Sequence, residues 1–73
     1  MLKNYTRVRL LTDRFCQEGA SAGDIGYVIE VYPGPEYEVE ISGKGGVTVA
    51  QIVVAEEELA AEPEPISSLG ELD

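Results

Sequence analysis

The chain has 73 residues, a formal net charge of -9, one cysteine and no histidine. This length provides one domain whose core is worth only about 3–5 kcal/mol net, with little room for a deep active-site cavity. Without histidine the usual acid–base group near neutral pH is missing, and a lone cysteine makes neither an internal disulfide nor a Cys/His zinc site. We therefore expect no enzyme activity, no metal and no cofactor.

The N-terminal sequence has no apolar block of signal-peptide length, and no stretch approaches the roughly 18 apolar residues that span a bilayer. These features favour a cytoplasmic protein with no membrane partner. The charge is uneven, because positions 56–73 hold seven of the 14 acidic residues and none of the five basic ones. Residues 1–55 therefore have a net charge of only -2, from five basic and seven acidic residues.

The first predicted strand covers residues 6–11, where apolar and charged side chains alternate. Val8 and Leu10 share the face that we expect in the core. Residues 12–24 form a loop rich in glycine, alanine and serine. This loop contains Phe15, the only phenylalanine, which we also expect to reach the core.

The second strand is predicted at 25–32. We expect Tyr27 to lie in phase with the core, on the face that it shares with Ile25, Ile29 and Val31. Tyr32 is out of phase with that face. A proline–glycine–proline break then ends the strand, because proline cannot donate to a sheet hydrogen-bond ladder.

The third strand, at 36–41, alternates without interruption. Tyr37, Val39 and Ile41 are predicted in the core, while the three glutamates that alternate with them face water. Two strands around a short turn of proline and glycine form a hairpin.

After a glycine-rich turn, a fourth strand is predicted at 47–54. Its alternation is imperfect around Ala50 and Gln51, which is typical of a bend or a bulge at a barrel corner. Residues 55–59 have the propensity for a single helical turn, and Leu59 is predicted to close the barrel.

Short antiparallel strands, tight turns and a terminal helical turn indicate an all-β, SH3-like barrel of about five strands at residues 1–59. Closure into a barrel removes exposed strand edges, which a domain of marginal stability needs. Residues 60–73 have the composition of a flexible acidic tail. Pro63 and Pro65 oppose regular structure there.

Three segments match a known family in order and spacing. They are a Gly-x-x-Gly-x-Val-x-x-Val-Tyr pattern from Gly23, a Tyr-Glu-Val-Glu pattern from Tyr37 and a Thr-x-Ala strand from Thr48. Over residues 5–59 the chain resembles the bacterial family catalogued as domain of unknown function 4926, although the glycine turn at 43–46 departs from the family pattern. The resemblance implies an SH3-like barrel and no established activity, so it assigns no site residues. The first segment is also similar to the KOW element of ribosomal and transcription-elongation proteins.

Aromatic and basic side chains provide the candidate binding residues of the barrel. Tyr5 and Tyr32 could form a groove of the kind that SH3 domains use for proline-rich peptides, or they could simply be partly buried. Arg7 and Arg9, with Lys3 and Arg14, form a basic cluster that could contact phosphate or be ordinary surface charge.

The glutamates of the third strand are expected to form a solvated face: Glu36, Glu38 and Glu40. We expect this face to pair with Arg7 and Arg9 across the sheet.

Three apolar residues recur at a spacing of three in the acidic tail: Ile66, Leu69 and Leu72. They are either a docking segment that folds on a partner or part of an inert, solubilising tail.

These features predict a non-enzymatic protein-interaction module, an accessory or regulatory subunit of a larger complex. Its expected partner is another protein, and the chain itself is a monomer or a weak homodimer. The alternative is a KOW-like barrel that binds RNA, with the acidic tail competing for the basic cluster.

Overall fold

The computed structural model describes residues 2–34, 36–43 and 47–63. In these ranges the chain forms one antiparallel sheet with strand order β4-β3-β2-β1-β5 and two single 3-10 turns, without an α-helix. This confirms the predicted all-β, SH3-like barrel of five strands. The strands are β1 (Arg7–Leu10), β2 (Ile25–Tyr32), β3 (Glu36–Ser42), β4 (Thr48–Ala55) and β5 (Leu59–Ala61), and the 3-10 turns are Cys16–Glu18 and Glu56–Glu58.

The core is a single cluster of buried side chains contributed by all five strands and the first loop. Its largest member, Tyr37, is 1% exposed, and its hydroxyl joins two distant parts of the chain. That hydroxyl accepts the Leu2 N–H at 3.0 Å and donates to Glu56 Oε1 at 3.1 Å. The buried residues include those predicted outside β2 and are Val8, Leu10, Phe15, Ala20, Val28, Tyr37, Val39, Ile41, Ala50, Ile52, Val54 and Leu59.

The prediction for the core face of β2 was wrong in its first half. Val28 is fully buried, whereas Tyr27 and Ile29 are only half-buried on the opposite face. An irregularity in the pairing with β3, between Val28 and Glu30, then changes the phase, so that Val31 packs against the core as predicted. Apolar residues on both faces of β2 made the period ambiguous, and an inserted residue reverses the alternation.

Gly26 explains how β2 lies so close to its neighbours on the core face. A Cβ at this position would collide with the Glu40 carbonyl oxygen and lie 3.0 Å from the side chains of Val39 and Ile41. A larger residue has no space there, so the core face of β2 begins with a glycine. The alternation of apolar residues in the sequence does not indicate that this glycine faces the core.

The pairing of β3 with β4 contains the predicted irregularity, one residue before its expected position. Ile41 pairs with Ala50 and Ser42 pairs with Thr48, so Val49 is the extra residue. From Ala50 onward β4 alternates regularly between buried and exposed side chains.

The second 3-10 turn leads into β5, which pairs with β1. Leu59 is buried and lies opposite Leu10, as expected for a residue that closes the barrel. The sheet continues to Ala61, two residues beyond the predicted end of the barrel at residue 59. The tail prediction for residues 64–73 lies outside the described residues and stays a prediction.

Arg14 and Glu58 clasp the first loop to the second 3-10 turn. Arg14 donates to the two carboxylate oxygens of Glu58 at 2.6 and 2.9 Å, and its guanidinium lies 4.2 Å from the centre of the Phe15 ring. Glu58 Oε1 also accepts the Ala55 N–H at 2.9 Å. The hydrogen bond from Arg14, assisted by the one from Ala55, lowers the pKa of Glu58 from 4.5 to about 2.

The clasp predicts a specific pH dependence of stability. Because the pKa of Glu58 is lower in the folded chain, its stabilisation is present above pH 4.5 and is lost as the pH falls toward 2. Glu58→Gln should lower the free energy of unfolding by about 1 kcal/mol at neutral pH and much less at pH 2. Urea unfolding of Glu58→Gln and of the exposed control Glu57→Gln at both pH values measures this. Equal losses for Glu58→Gln at both pH values would contradict the clasp.

The corrected face of β2 predicts an inverted order of two alanine substitutions. Val28→Ala should lower the free energy of unfolding by about 2 kcal/mol, because it leaves a cavity in the core. Ile29→Ala removes more atoms, but from a half-buried position, and should cost about 1 kcal/mol or less. Thermal and urea unfolding of the two variants give the comparison, and a larger loss for Ile29→Ala would restore the original assignment.

Candidate functional site

Arg7 and Arg9 contact the segment that follows β5, not the glutamates of β3. Arg9 binds Glu62 Oε1 through Nε at 2.9 Å and through a terminal nitrogen at 2.8 Å. Arg7 donates to the Pro63 carbonyl oxygen, and its own carbonyl accepts the Glu62 N–H at 2.8 Å. The two arginines therefore hold the end of the described chain against β1.

The predicted pairing of Arg7 and Arg9 with the β3 glutamates is wrong because β2 lies between the two strands. Arg7 pairs with Tyr27, and Tyr27 pairs with Glu40, so the arginine and the glutamate are two strand spacings, about 9.6 Å, apart. The glutamates find uncharged donors instead. Glu38 accepts from the Tyr32 hydroxyl at 2.6 Å, and Glu40 accepts from the Thr48 hydroxyl at 2.8 Å.

The structure does not join Tyr5 and Tyr32 into one groove. Tyr5 is 74% exposed, has a φ of 68° and donates its N–H to the carbonyl of Val28. Tyr32 lies on β2, four residues and about 13 Å along the strand from Val28. Its hydroxyl donates a hydrogen bond to Glu38 on β3. That hydrogen bond, together with burial, raises the pKa of Tyr32 above its ordinary value of 10.0.

The predicted tail residues Ile66, Leu69 and Leu72 lie outside the described residues, so their role in binding stays a prediction.

Strand β4 is an edge of the sheet, and some of its backbone N–H and C=O groups point away from β3. The Ala55 N–H donates to Glu58, so Ala55 points its backbone away from β3. Backbone direction alternates along an antiparallel strand, and Val53 and Gln51 therefore also direct their N–H and C=O groups outward. Among the described residues, nothing outside β3 forms a hydrogen bond with the backbone of Gln51 or Val53.

The composition of β4 leaves this edge unprotected. Its eight residues include no charge and no proline, which are the usual means of blocking an edge. Val49 and Val53 are 47% and 45% exposed. The first loop approaches the start of the strand, where a Cβ on Gly19 would lie 3.6 Å from the Val49 carbonyl oxygen.

The opposite edge of the sheet is protected. Strand β5 has only three residues, and Pro63 follows it closely. A short edge next to a proline offers little for another strand to pair with. The open edge is therefore the part of β4 from Ala50 to Ala55.

The sheet surface beside this edge is acidic. The outer face of β2 and β3 carries four glutamates, whereas β2, β3 and β4 contain no lysine or arginine. In the described ranges the basic residues lie in the N-terminal segment, in β1 and in the first loop: Lys3, Arg7, Arg9 and Arg14. The glutamates are Glu30, Glu36, Glu38 and Glu40.

Sequence reasoning placed a strand at this position but did not identify it as an edge. The uncharged run in residues 48–55 favours a central strand, because edge strands usually carry charge or proline. Which strand lies at the edge depends on the order of strands in the sheet, and no local pattern reports it.

In the described part of the chain there is no pocket, and no three His, Cys, Asp or Glu side chains are grouped to hold a metal ion. Over the same residues, none of the helical segments has the length and apolar character that crossing a membrane requires.

Comparison with known proteins identifies the family of the chain. Searches of curated proteins and of solved structures found no match. A family model covers residues 5–61, from two residues before β1 to the end of β5. Because this match spans well over half of the chain and all five strands, the chain belongs to the family described as Domain of unknown function (DUF4926).

Proposed function

We propose that the chain is a cytoplasmic, non-enzymatic protein-interaction module that binds an extended segment of a partner protein along the free edge of β4. The observation that carries the proposal is the outward direction of the Gln51 and Val53 backbone on an uncharged edge strand. Addition of a partner strand to such an edge is a general mode of peptide recognition.

The energetics favour a modest affinity at this edge. Gln51 and Val53 offer two N–H and two C=O groups, each worth about 1 kcal/mol net when paired. Covering the exposed parts of Val49 and Val53 contributes about 1 kcal/mol each. Because association itself costs at least about 4 kcal/mol, the edge suits an accessory subunit that is also held elsewhere in a complex.

A non-enzymatic role is supported by the side chains available for chemistry. The chain has no histidine, and Arg9 and Arg14 are engaged in ion pairs with Glu62 and Glu58. Cys16 is an exposed free thiol, which suits the reducing conditions of the cytoplasm.

A proline at position 51 tests the proposal directly. Gln51→Pro removes an N–H that points away from β3, and edge strands tolerate proline at such positions. We expect it to abolish the capture of partner proteins from nuclease-treated source lysate, whereas Gln51→Thr, which keeps the N–H, retains capture. Hydrogen exchange on the purified complex should then show protection of the Gln51 and Val53 amides.

Thermal unfolding provides the control for this experiment. Gln51→Pro should melt within a few degrees of the original chain, because no hydrogen bond to β3 is lost. Undiminished capture by a folded Gln51→Pro variant would exclude the β4 edge as the binding site.

The second candidate function is RNA binding, and the placement of Glu62 favours it. Glu62 and Pro63 occupy Arg7 and Arg9, so the chain covers its own basic surface. Such a surface would bind phosphate only after this segment is displaced, which agrees with an acidic tail that competes with RNA.

Glu62→Gln separates the two functions. RNA binding predicts that this variant binds a single-stranded oligouridine several-fold more tightly than the original chain, with an affinity that falls steeply as salt rises. The protein-interaction module predicts no measurable binding by either chain. Fluorescence anisotropy of labelled oligouridine at low and at physiological salt provides the measurement, with Glu57→Gln as a control for the loss of one negative charge.

A further inference from the structure

We infer that the partner segment accepted by β4 is cationic, with lysine or arginine alternating with apolar residues. This inference rests on the proposed function and names the chemistry of the partner at the same edge. It is carried by the glutamates of β3, which lie in the row next to β4 on the outer face of the sheet.

The register places these carboxylates beside the exposed side chains of β4. Glu38 pairs with Val53, and Glu40 pairs with Gln51. To reach these carboxylates, a long side chain from the next strand would pass over Val53 or Gln51, neither of which is charged. A strand added to β4 would lie two spacings, about 9.6 Å, from β3, a distance that an extended lysine or arginine and a glutamate can bridge together.

Within the described ranges, no cation neutralises these carboxylates. The hydrogen-bond donors of Glu38 and Glu40 are the hydroxyls of Tyr32 and Thr48, which carry no charge. The arginines nearest in the sheet, on β1, are bound to the segment after β5. An incoming cation would therefore meet carboxylates that no described cation of the chain neutralises.

The other face of the added strand would continue the core-facing row of β4, which is apolar. Ala50, Ile52 and Val54 point toward the core along β4, at 9%, 4% and 0% exposure. Side chains alternate between the two faces of a strand. A segment with cations on one face and apolar residues on the other therefore matches both sides of the edge.

A second copy of the chain fits this edge less well. Self-pairing would place uncharged β4 against uncharged β4 and leave the glutamates of both copies unpaired. Each copy also has a formal net charge of -9, which opposes association. Charge complementarity thus favours a basic partner over a homodimer.

Synthetic peptides with alternating valine test the inference on the full chain. The probes are a peptide of four Lys–Val repeats, its Glu–Val counterpart and its neutral Thr–Val counterpart, titrated by calorimetry at low salt. We expect the Lys–Val peptide to bind at least tenfold more tightly than the Thr–Val peptide, and the Glu–Val peptide not to bind. Raising the salt should weaken Lys–Val binding several-fold, because the ion pairs are exposed.

Matched variants show whether the effect is local. Glu38→Gln combined with Glu40→Gln should remove most of the preference for Lys–Val over Thr–Val. Glu18→Gln combined with Glu57→Gln removes two charges from the 3-10 turns and should leave the preference unchanged. Equal effects of the two pairs of substitutions would show that the preference for Lys–Val comes from the net charge of the chain, and would overturn the inference.

The remaining outcomes distinguish this inference from the proposed function. Equal binding of the Lys–Val and Thr–Val peptides, both abolished by Gln51→Pro, would overturn the cationic partner and leave strand addition intact. Lys–Val binding that Gln51→Pro does not weaken would show attraction to the acidic face without strand addition, and overturns the inference. Sedimentation as a dimer that Gln51→Pro dissociates would identify a second copy as the occupant and also overturn it.

Discussion

Strand β1 is hydrogen-bonded on both sides, and the arrangement of the other strands depends on this. Toward β2, Leu10 donates its N–H to the Asp24 carbonyl and accepts from Gly23, while toward β5 the Arg7 carbonyl accepts the N–H of Glu62. Because β1 is interior, β5 and β4 become the two edges of the sheet. The same placement sets Arg7 and Arg9 beside the end of the described chain and two strands away from the β3 glutamates.

Glu58 connects the second 3-10 turn to the first loop and to the end of β4. Its carboxylate binds Arg14 from the first loop, and it also draws the Ala55 N–H away from β3. The same carboxylate therefore joins the second 3-10 turn to the first loop and to the end of β4.

Arginine side chains form ion pairs that hold the fold together, whereas the glutamates of β3 lie on the outer surface of the sheet. Arg9 and Arg14 pair with Glu62 and Glu58, at the points where β5 and the second 3-10 turn attach to the rest of the chain. Among the described residues, Glu38 and Glu40 of β3 accept hydrogen bonds from the uncharged hydroxyls of Tyr32 and Thr48. Under the proposed function, the uncharged edge of β4 would offer its backbone groups to a partner, and the neighbouring Glu38 and Glu40 would add a preference for positive charge.

The amino-acid sequence by itself determined the strands, most of the core and the family, because period-two alternation and turn residues are local signals. Val8, Leu10, Tyr37, Val39 and Ile41 followed from alternation alone. Val28 did not, because β2 is apolar on both faces and its bulge changes the phase. The tertiary structure alone decided the partners of Arg7 and Arg9 and the exposure of the β4 edge. Both depend on the order of strands in the sheet, and that order is set jointly by residues that are distant from one another in the chain.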